Sequence, residues 1–448
     1  MPTNVIVIFT DDQGYEDVGC FGSDIPTPNL DRMAAEGIRL TDFYAAQAVC
    51  SASRAALLTG CYPNRVGIHN AYMPNAQTGL DTAETTMADM LKAAGYATAI
   101  FGKWHLGDHP DFMPLNQGFD TYYGIPYSND MWPLHPQQGP VFNFGPLPLY
   151  EDDRIIDTLT DQSFLTKALT ERSTEFIREH SDEPFFLYLA HPQPHVPLFA
   201  SEDFRGKSGQ GLYADVIMEI DWSVGQILST LESEGLSENT LVIFTSDNGP
   251  WLNYGTHAGS AYPLREGKGT AWEGGQREPC IVYYPGTLPA GRTLKTPMMA
   301  IDVLPTIAEV TGASLPEKTI DGNSYWSVWT GATTDPPQDT YFFYYRVNEL
   351  HGVRYKDWKL YFPHTYRTLN GRVGGNDGLP VPYEQDTLLA IELYDLSTDI
   401  SETTNVADQY PSVVDTITGL ADAMRMRLGD RLTGVEGKEN RPVGRLEK

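Results

Sequence analysis

Residues 4–10 read Asn-Val-Ile-Val-Ile-Phe-Thr, an almost unbroken apolar and β-branched run. A strand wetted on one face alternates apolar and polar positions. A run without the polar alternate predicts a strand covered on both faces, as in a parallel sheet. Residues 97–102, 185–190 and 241–246 repeat the pattern. Between these runs the apolar period lengthens to that of a helix. Residues 81–94 set Met87, Met90 and Leu91 on one face, with Asp81 and Thr82 as capping residues and Gly95 as the stop. Residues 161–179 and 213–234 have similar periodicity. Strands alternating with helices predict an α/β fold: a large, mainly parallel sheet flanked by helices.

Near residue 331 the texture changes. The stretch Thr-Thr-Asp-Pro-Pro-Gln-Asp-Thr gives way to short aromatic runs at 341–346, 351–354 and 358–362, and residues 411–428 read as a final amphipathic helix. The expected division is a large part, residues 1–335, and a smaller C-terminal antiparallel α+β part, residues 336–448. There is no internal repeat. A chain of 448 residues exceeds what one core usually serves, which agrees with two parts.

Composition narrows the function classes. Hydrophobic residues make up 41% and charged residues 20%, so the chain can bury a sizeable core. With 59 acidic and 31 Lys and Arg residues the net charge is -28, which argues against unassisted binding to nucleic acid or an anionic membrane. A polyanionic substrate would need a local basic pocket. Cys20, Cys50, Cys61 and Cys280 are too few for a disulfide scaffold and show no zinc-site spacing, though one disulfide is compatible. No apolar run reaches the roughly 18 residues of a membrane helix. No leader precedes the strand at residue 4, so a periplasmic or secreted setting requires an export signal already removed, and a cytoplasmic one stays open.

Ligands of open α/β sheets bind beyond the carboxyl ends of the strands. The residues there are Asp11 and Asp12, Lys103 and His105, His195, and Asp247 and Asn248. Any one has an ordinary structural use as a cap, turn or loop residue. Their coincidence at one sheet edge points to a site. Asp11, Asp12, Asp247 and Asn248 offer only oxygen donors, which suits a hard dication such as calcium or magnesium rather than zinc.

Residues 50–60, Cys-Ser-Ala-Ser-Arg followed by Ala-Ala-Leu-Leu-Thr-Gly, read as a helix starting at or near Cys50 and stopped by Gly60. Free amides and the positive dipole end lie at Cys50, and Arg54 shares its face, so the segment makes an anion-binding nucleophile position. A tyrosine-phosphatase loop needs five residues between Cys and Arg; three stand here. Residues 255–275 form a glycine-rich stretch with Lys268 inside it, where backbone can approach a ligand and the ammonium can meet an anionic oxygen.

Taken together these residues resemble the formylglycine-dependent type I sulfatases, relatives of alkaline phosphatase. The matching stretches are 5–15, 27–44, 50–60, 101–107, 191–198, 245–249 and 264–279, in family order over roughly the first 310 residues. Ala52 departs from the commoner proline of Cys-x-Pro-Ser-Arg, which bears on which maturation enzyme acts. The resemblance implies an alkaline-phosphatase-like sheet and a Cys50 oxidised to formylglycine and hydrated to a gem-diol. It implies calcium held by Asp11, Asp12, Cys50, Asp247 and Asn248. Arg54 and Lys103 would hold the diol and a sulfate oxygen. Lys268 and His195 would meet the sulfate and leaving group, and His105 would act as the base that regenerates the aldehyde.

The expected function is therefore removal of sulfate from a sulfated carbohydrate, with a formylglycine-generating enzyme as maturation partner. Two alternatives stand beside it: a phosphate or phosphonate monoester hydrolase of the same superfamily, and a non-catalytic binder of sulfated ligands. Asn129, Asp130, Trp132 and His135 are candidates for the pocket rim, since aromatic and polar side chains together suit a sugar ring.

Overall fold

Every residue of the Asn4–Thr10 run is buried, as the missing polar alternate predicts. In the computed structural model, which describes residues 2–446, this strand is the middle of an eleven-stranded sheet. Its central members are β1 (Asn4–Thr10), β2 (Ile38–Tyr44), β3 (Ala97–Lys103), β4 (Thr121–Ile125), β5 (Phe185–Ala190), β6 (Thr240–Ser246) and β7 (Arg277–Tyr283). They lie in the order β2-β7-β6-β1-β5-β3-β4. From β6 to β4 all pairings are parallel, whereas β7 runs antiparallel to both β6 and β2. The sheet is thus mixed and mostly parallel.

Successive side chains of a strand point to opposite faces, so one buried run must feed two cores. Val5, Val7 and Phe9 join Ala52, Leu57, Met87 and Leu304 on one face. Ile6 and Ile8 join Leu30, Leu169 and Ile217 on the other. The helices Cys50–Thr59, Met87–Ala93 and Val303–Thr311 therefore cover one side, and Pro28–Glu36, Leu165–Glu179 and Leu212–Ser233 the other.

Two helices start later than their patterns suggest. The helix expected over 81–94 begins at Met87, because Thr86 and Asp89 exchange side-chain and backbone hydrogen bonds in a capping box. Asp81 instead accepts from the Ala83 amide at 2.9 Å in the preceding turn. Likewise Asp161 holds Ser163 in a turn ahead of the Leu165 start. The strands β2 and β7 escape the apolar-run pattern because they carry Arg39, Asp42, Arg277 and Glu278. Buried Arg277 is neutralised by Asp42 at 2.8 Å and Glu273 at 3.0 Å.

The strands Thr340–Tyr345, Glu349–Tyr355, Trp358–Tyr361 and Glu392–Asp395 form an antiparallel sheet, on which the Pro411–Leu428 helix packs. This sheet shares its core with the larger part: Tyr341, Phe343, Leu360 and Ile417 cluster with Tyr44, Tyr62, Trp272 and Ile301. Buried Lys359 crosses the same junction, donating to Glu273 at 2.6 Å and to the Ala271 carbonyl at 2.9 Å. Lys359→Met is expected to lower stability by about 3–5 kcal/mol, since it leaves the buried Glu273 carboxylate short of a partner. A guanidinium midpoint measures this, and an unchanged midpoint would mean that Arg277 alone neutralises Glu273. All four cysteines are free. Among the described residues no helix is long and apolar enough to cross a membrane.

Candidate active site

Each strand exit singled out above delivers its residues to one place. β1 ends into Asp11 and Asp12, and Asp12 adopts φ 63, a left-handed turn that aspartate tolerates better than most residues. β6 ends into Asp247 and Asn248, with the Asp247 amide continuing the ladder to the Thr10 carbonyl at 3.0 Å. β3 ends in Lys103. At Gly102 just before it, φ is 122 and an added Cβ would lie 1.8 Å from the Ala190 carbonyl oxygen, so only glycine lets β3 close against β5 here.

The helix Cys50–Thr59 begins at Cys50 and ends at Gly60, which takes the left-handed conformation with φ 67. All ten of its residues are buried. Arg54, one turn on, is fully enclosed and donates to Asp247 from Nε at 3.1 Å and Nη2 at 2.9 Å, and to the Lys103 carbonyl at 3.0 Å. Its Nη2 also stands 3.5 Å from Asp11. The Cys50 sulfur lies 3.5 Å from Asp11 Oδ1 and 3.3 Å from Lys268 Nζ. Lys103 Nζ donates to Asp11 Oδ2, and Lys268 Nζ donates to Asp12 Oδ1 at 2.6 Å.

The buried carboxylates Asp11, Asp12 and Asp247 are thus balanced by the cations Arg54, Lys103 and Lys268, an arrangement that compensates their desolvation. Burial works to raise the Asp11 carboxyl, but Lys103, His195 and Arg54 outweigh it and hold the group well below the usual range. Asp247 goes the other way: burial and neighbouring Asp11 push it up to about 7 against the pull of Arg54. Burial and Asp11 likewise raise the Cys50 thiol far above its ordinary value, so the unmodified sulfur stays protonated.

Potential ligand atoms of Asp11, Asp12, Cys50 and His195 lie within 4.8 Å of one another. Asn248 joins them through its amide, which donates to Asp12 Oδ1 at 2.7 Å. Asp247 Oδ1 accepts from the Asp12 amide at 3.2 Å. Asp12 Oδ2 and Asn248 Oδ1 are buried without a hydrogen-bond partner. Two orphaned oxygens beside a carboxylate cluster match what a hard cation requires.

The two histidines are oriented by backbone carbonyls. His105 Nε2 lies 2.9 Å from the Tyr72 carbonyl. A carbonyl only accepts, so Nε2 carries the proton and the buried, unpartnered Nδ1 keeps its lone pair. His195 directs Nδ1 to the Val196 carbonyl, which leaves Nε2 facing Asp12 Oδ2 at 3.6 Å and Ser128 Oγ at 3.5 Å.

Ser128, Trp251 and Arg367 complete the surroundings although no motif marks them. Ser128 Oγ is 3.2 Å from Lys103 Nζ. The Trp251 ring lies 4.7 Å from Lys268 Nζ and 5.4 Å from the His195 ring. The rim candidates divide. Asn129 donates to the His195 and Pro197 carbonyls, and Trp132 packs edge-on against Phe199 at 5.6 Å, so both support the loop that carries His195. Asp130 and His135 are nearly buried and stand 3.7 Å apart.

Residues 3–313 match the family model described as Sulfatase, and residues 337–437 match that for the C-terminal region of aryl-sulfatase. Arylsulfatase A of Homo sapiens is 37% identical over 443 residues, covering 93% of this chain and 86% of its own. N-acetylgalactosamine-6-sulfatase of Canis lupus familiaris is 39% identical over 381 residues, covering 81% and 72%. The crystal structure of Ps i-CgsB in complex with k-i-k-neocarrahexaose superposes with a TM-score of 0.78 at 27% identity, covering 98% of this chain and 94% of that one. With the match running over most of its length, the chain belongs to the sulfatase family, whose members are hydrolases of sulfate esters.

Proposed function

We propose that this sulfatase removes sulfate from a sulfated carbohydrate, using formylglycine made from Cys50 and a bound calcium ion. The observation that carries the reading is the Cys50 position itself: the first residue of a buried helix, flanked by Lys268 and Asp11, with Arg54 one turn on. Membership of the family supports the chemistry, and relatives named for sugar sulfates support the substrate class. Residues 1–335 would carry the reaction and residues 336–448 buttress it. A periplasmic or secreted setting and a formylglycine-generating maturation enzyme go with this reading.

Asp11, Asp12, Asp247, Asn248 and residue 50 would hold the calcium. When bound, calcium supplies a Lewis acid that lowers the pKa of a coordinated hydroxyl and offsets charge on sulfuryl oxygens. Formylglycine supplies a hydrated aldehyde as nucleophile. The remaining work falls to the side chains. Arg54 and Lys103 orient residue 50 and a sulfate oxygen from the buried side. Lys268 faces the sulfate from the open side as a point charge. His195, with Nδ1–H held by the Val196 carbonyl and Nε2 turned into the cleft, would act in its doubly protonated form, giving the Nε2 proton to the departing alcohol. His105, with its free Nδ1 lone pair, accepts the proton whose removal restores the aldehyde.

The test is mass spectrometry of the peptide containing residue 50 after expression with a formylglycine-generating enzyme. Conversion lowers the mass by about 18 Da, because the thiol is exchanged for an aldehyde oxygen. Hydrolysis of an aryl sulfate should rise in proportion to conversion. A persistent thiol would favour a non-catalytic binder, and a preference for phosphate monoesters would favour the other hydrolase class. A strong chelator is expected to abolish turnover of the converted enzyme, and added calcium to restore it. Activity indifferent to chelation would remove the metal from the proposal.

A further inference from the structure

Lys268 sits between Gly267 and Gly269 in a glycine-rich stretch, and its amide is held by the Pro250 carbonyl at 3.0 Å. Its carbonyl is held from far along the chain. Arg367, on the His364–Thr368 strand of the C-terminal hairpin, sends its Nε to the Lys268 carbonyl at 2.7 Å, and its Nη2 donates to the same oxygen. The guanidinium also lies 4.7 Å from the Tyr383 ring and 5.9 Å from Trp251. Gly269, with φ 81, leaves room for it, since an added Cβ would stand 2.4 Å from the guanidinium carbon. The Gly269 amide in turn donates to the Ala48 carbonyl at 2.9 Å, joining the loop to the segment that leads into Cys50.

We propose that Arg367 is a positioning residue for desulfation, holding the Lys268 backbone and the Trp251 ring so that the ammonium points at the sulfate. This rests on the role given to Lys268 above. Trp251 is the shared surface: it lies against the Lys268 ammonium on one hand and the His195 imidazole on the other. One guanidinium therefore bears on both groups that meet the substrate from the open side. Among the described residues no carboxylate comes within ion-pair distance of Arg367, and its Nε and Nη2 donate to the loop instead. The C-terminal part thereby reaches into the reaction centre without contributing a reacting group.

Full-length enzyme with residue 50 converted provides the test, with an aryl sulfate as substrate. Arg367→Ala, Arg367→Lys and Lys268→Ala are compared for kcat, KM, inhibition by inorganic sulfate, conversion of residue 50 and melting temperature. Arg367→Ala is expected to lose about ten- to a hundredfold in kcat/KM at unchanged conversion, the scale of a misplacement near 1 Å. Inhibition by inorganic sulfate should weaken alongside it, which a purely structural role would not cause. Arg367→Lys should recover part of the loss, because an ammonium can reach the carbonyl but cannot make two donations and stack at once. Unchanged kcat/KM per folded, converted enzyme in Arg367→Lys overturns the proposal, whether or not Arg367→Ala folds. If Lys268→Ala falls while both Arg367 variants match the parent, Lys268 keeps its role and Arg367 loses its own. If Lys268→Ala is fully active, the role of Lys268 fails and this inference with it.

Discussion

Cys50→Ala is expected to reduce sulfate-ester turnover to background, on the order of a 10⁶-fold fall in kcat, the scale seen when a nucleophile is removed from a preorganised site. Stability should change little, since the hydrogen bonds of the lost sulfur are the two long ones to Asp11 and Lys268, at 3.5 and 3.3 Å. Cys50→Ser is the more informative partner. Serine has a hydroxyl to attack with but only one, so after accepting sulfate it has no second hydroxyl through which to expel it. One equivalent of alcohol released per enzyme, followed by arrest, is the expected time course. Sustained turnover by the serine variant would show that the second hydroxyl is dispensable, and the proposed regeneration step would fall. Full activity in the alanine variant would remove residue 50 from the chemistry.

Arg54→Ala should damage both fold and function. Its guanidinium is wholly buried, forks onto Asp247 and lies near Asp11, and its removal leaves two buried carboxylates with less compensation. Breaking a buried pair from one side costs about 3–5 kcal/mol. Loss of a charge stabiliser at the reacting centre adds about 10²–10³ in rate. Denaturant midpoint and kcat on the converted enzyme measure the two separately. Arg54→Lys distinguishes charge from geometry: the ammonium keeps the charge but cannot span both Asp247 and the Lys103 carbonyl, so stability should return further than rate. Equal recovery of both would mean that charge alone matters here.

Much of the centre was readable because its residues follow directly from strand ends. A run such as 4–10 must be a doubly covered strand, and whatever follows it must emerge at the sheet edge. The bounds of the final helix agree with its periodic pattern from Pro411 to Leu428. Where reading and structure part, local chemistry explains it. Asp81 resembles a cap, but Thr86, five residues on, closes a reciprocal box with Asp89, and the better-satisfied start wins. β2 and β7 look too charged for a buried sheet until Arg277 pairs with Asp42 across the strands and with Glu273 on the short helix just before β7.

The sequence by itself determined the residue types at each strand exit, the α/β order, the helix start at Cys50 with Arg54 one turn on, and an oxygen-rich set of side chains at the sheet edge. These depend on short-range periodicity and spacing, which a chain carries in one dimension. Only the tertiary structure decided that Ser128 faces both Lys103 and His195, that Asn129 and Trp132 brace a loop, and that Arg367 grips the Lys268 carbonyl from 99 residues away. Such contacts join segments whose sequence separation bears no relation to their distance in space. The first two are set by how the loops after neighbouring strands of the large sheet fold over one another, and the last by where the C-terminal hairpin lies on the glycine-rich loop, none of which a local pattern encodes.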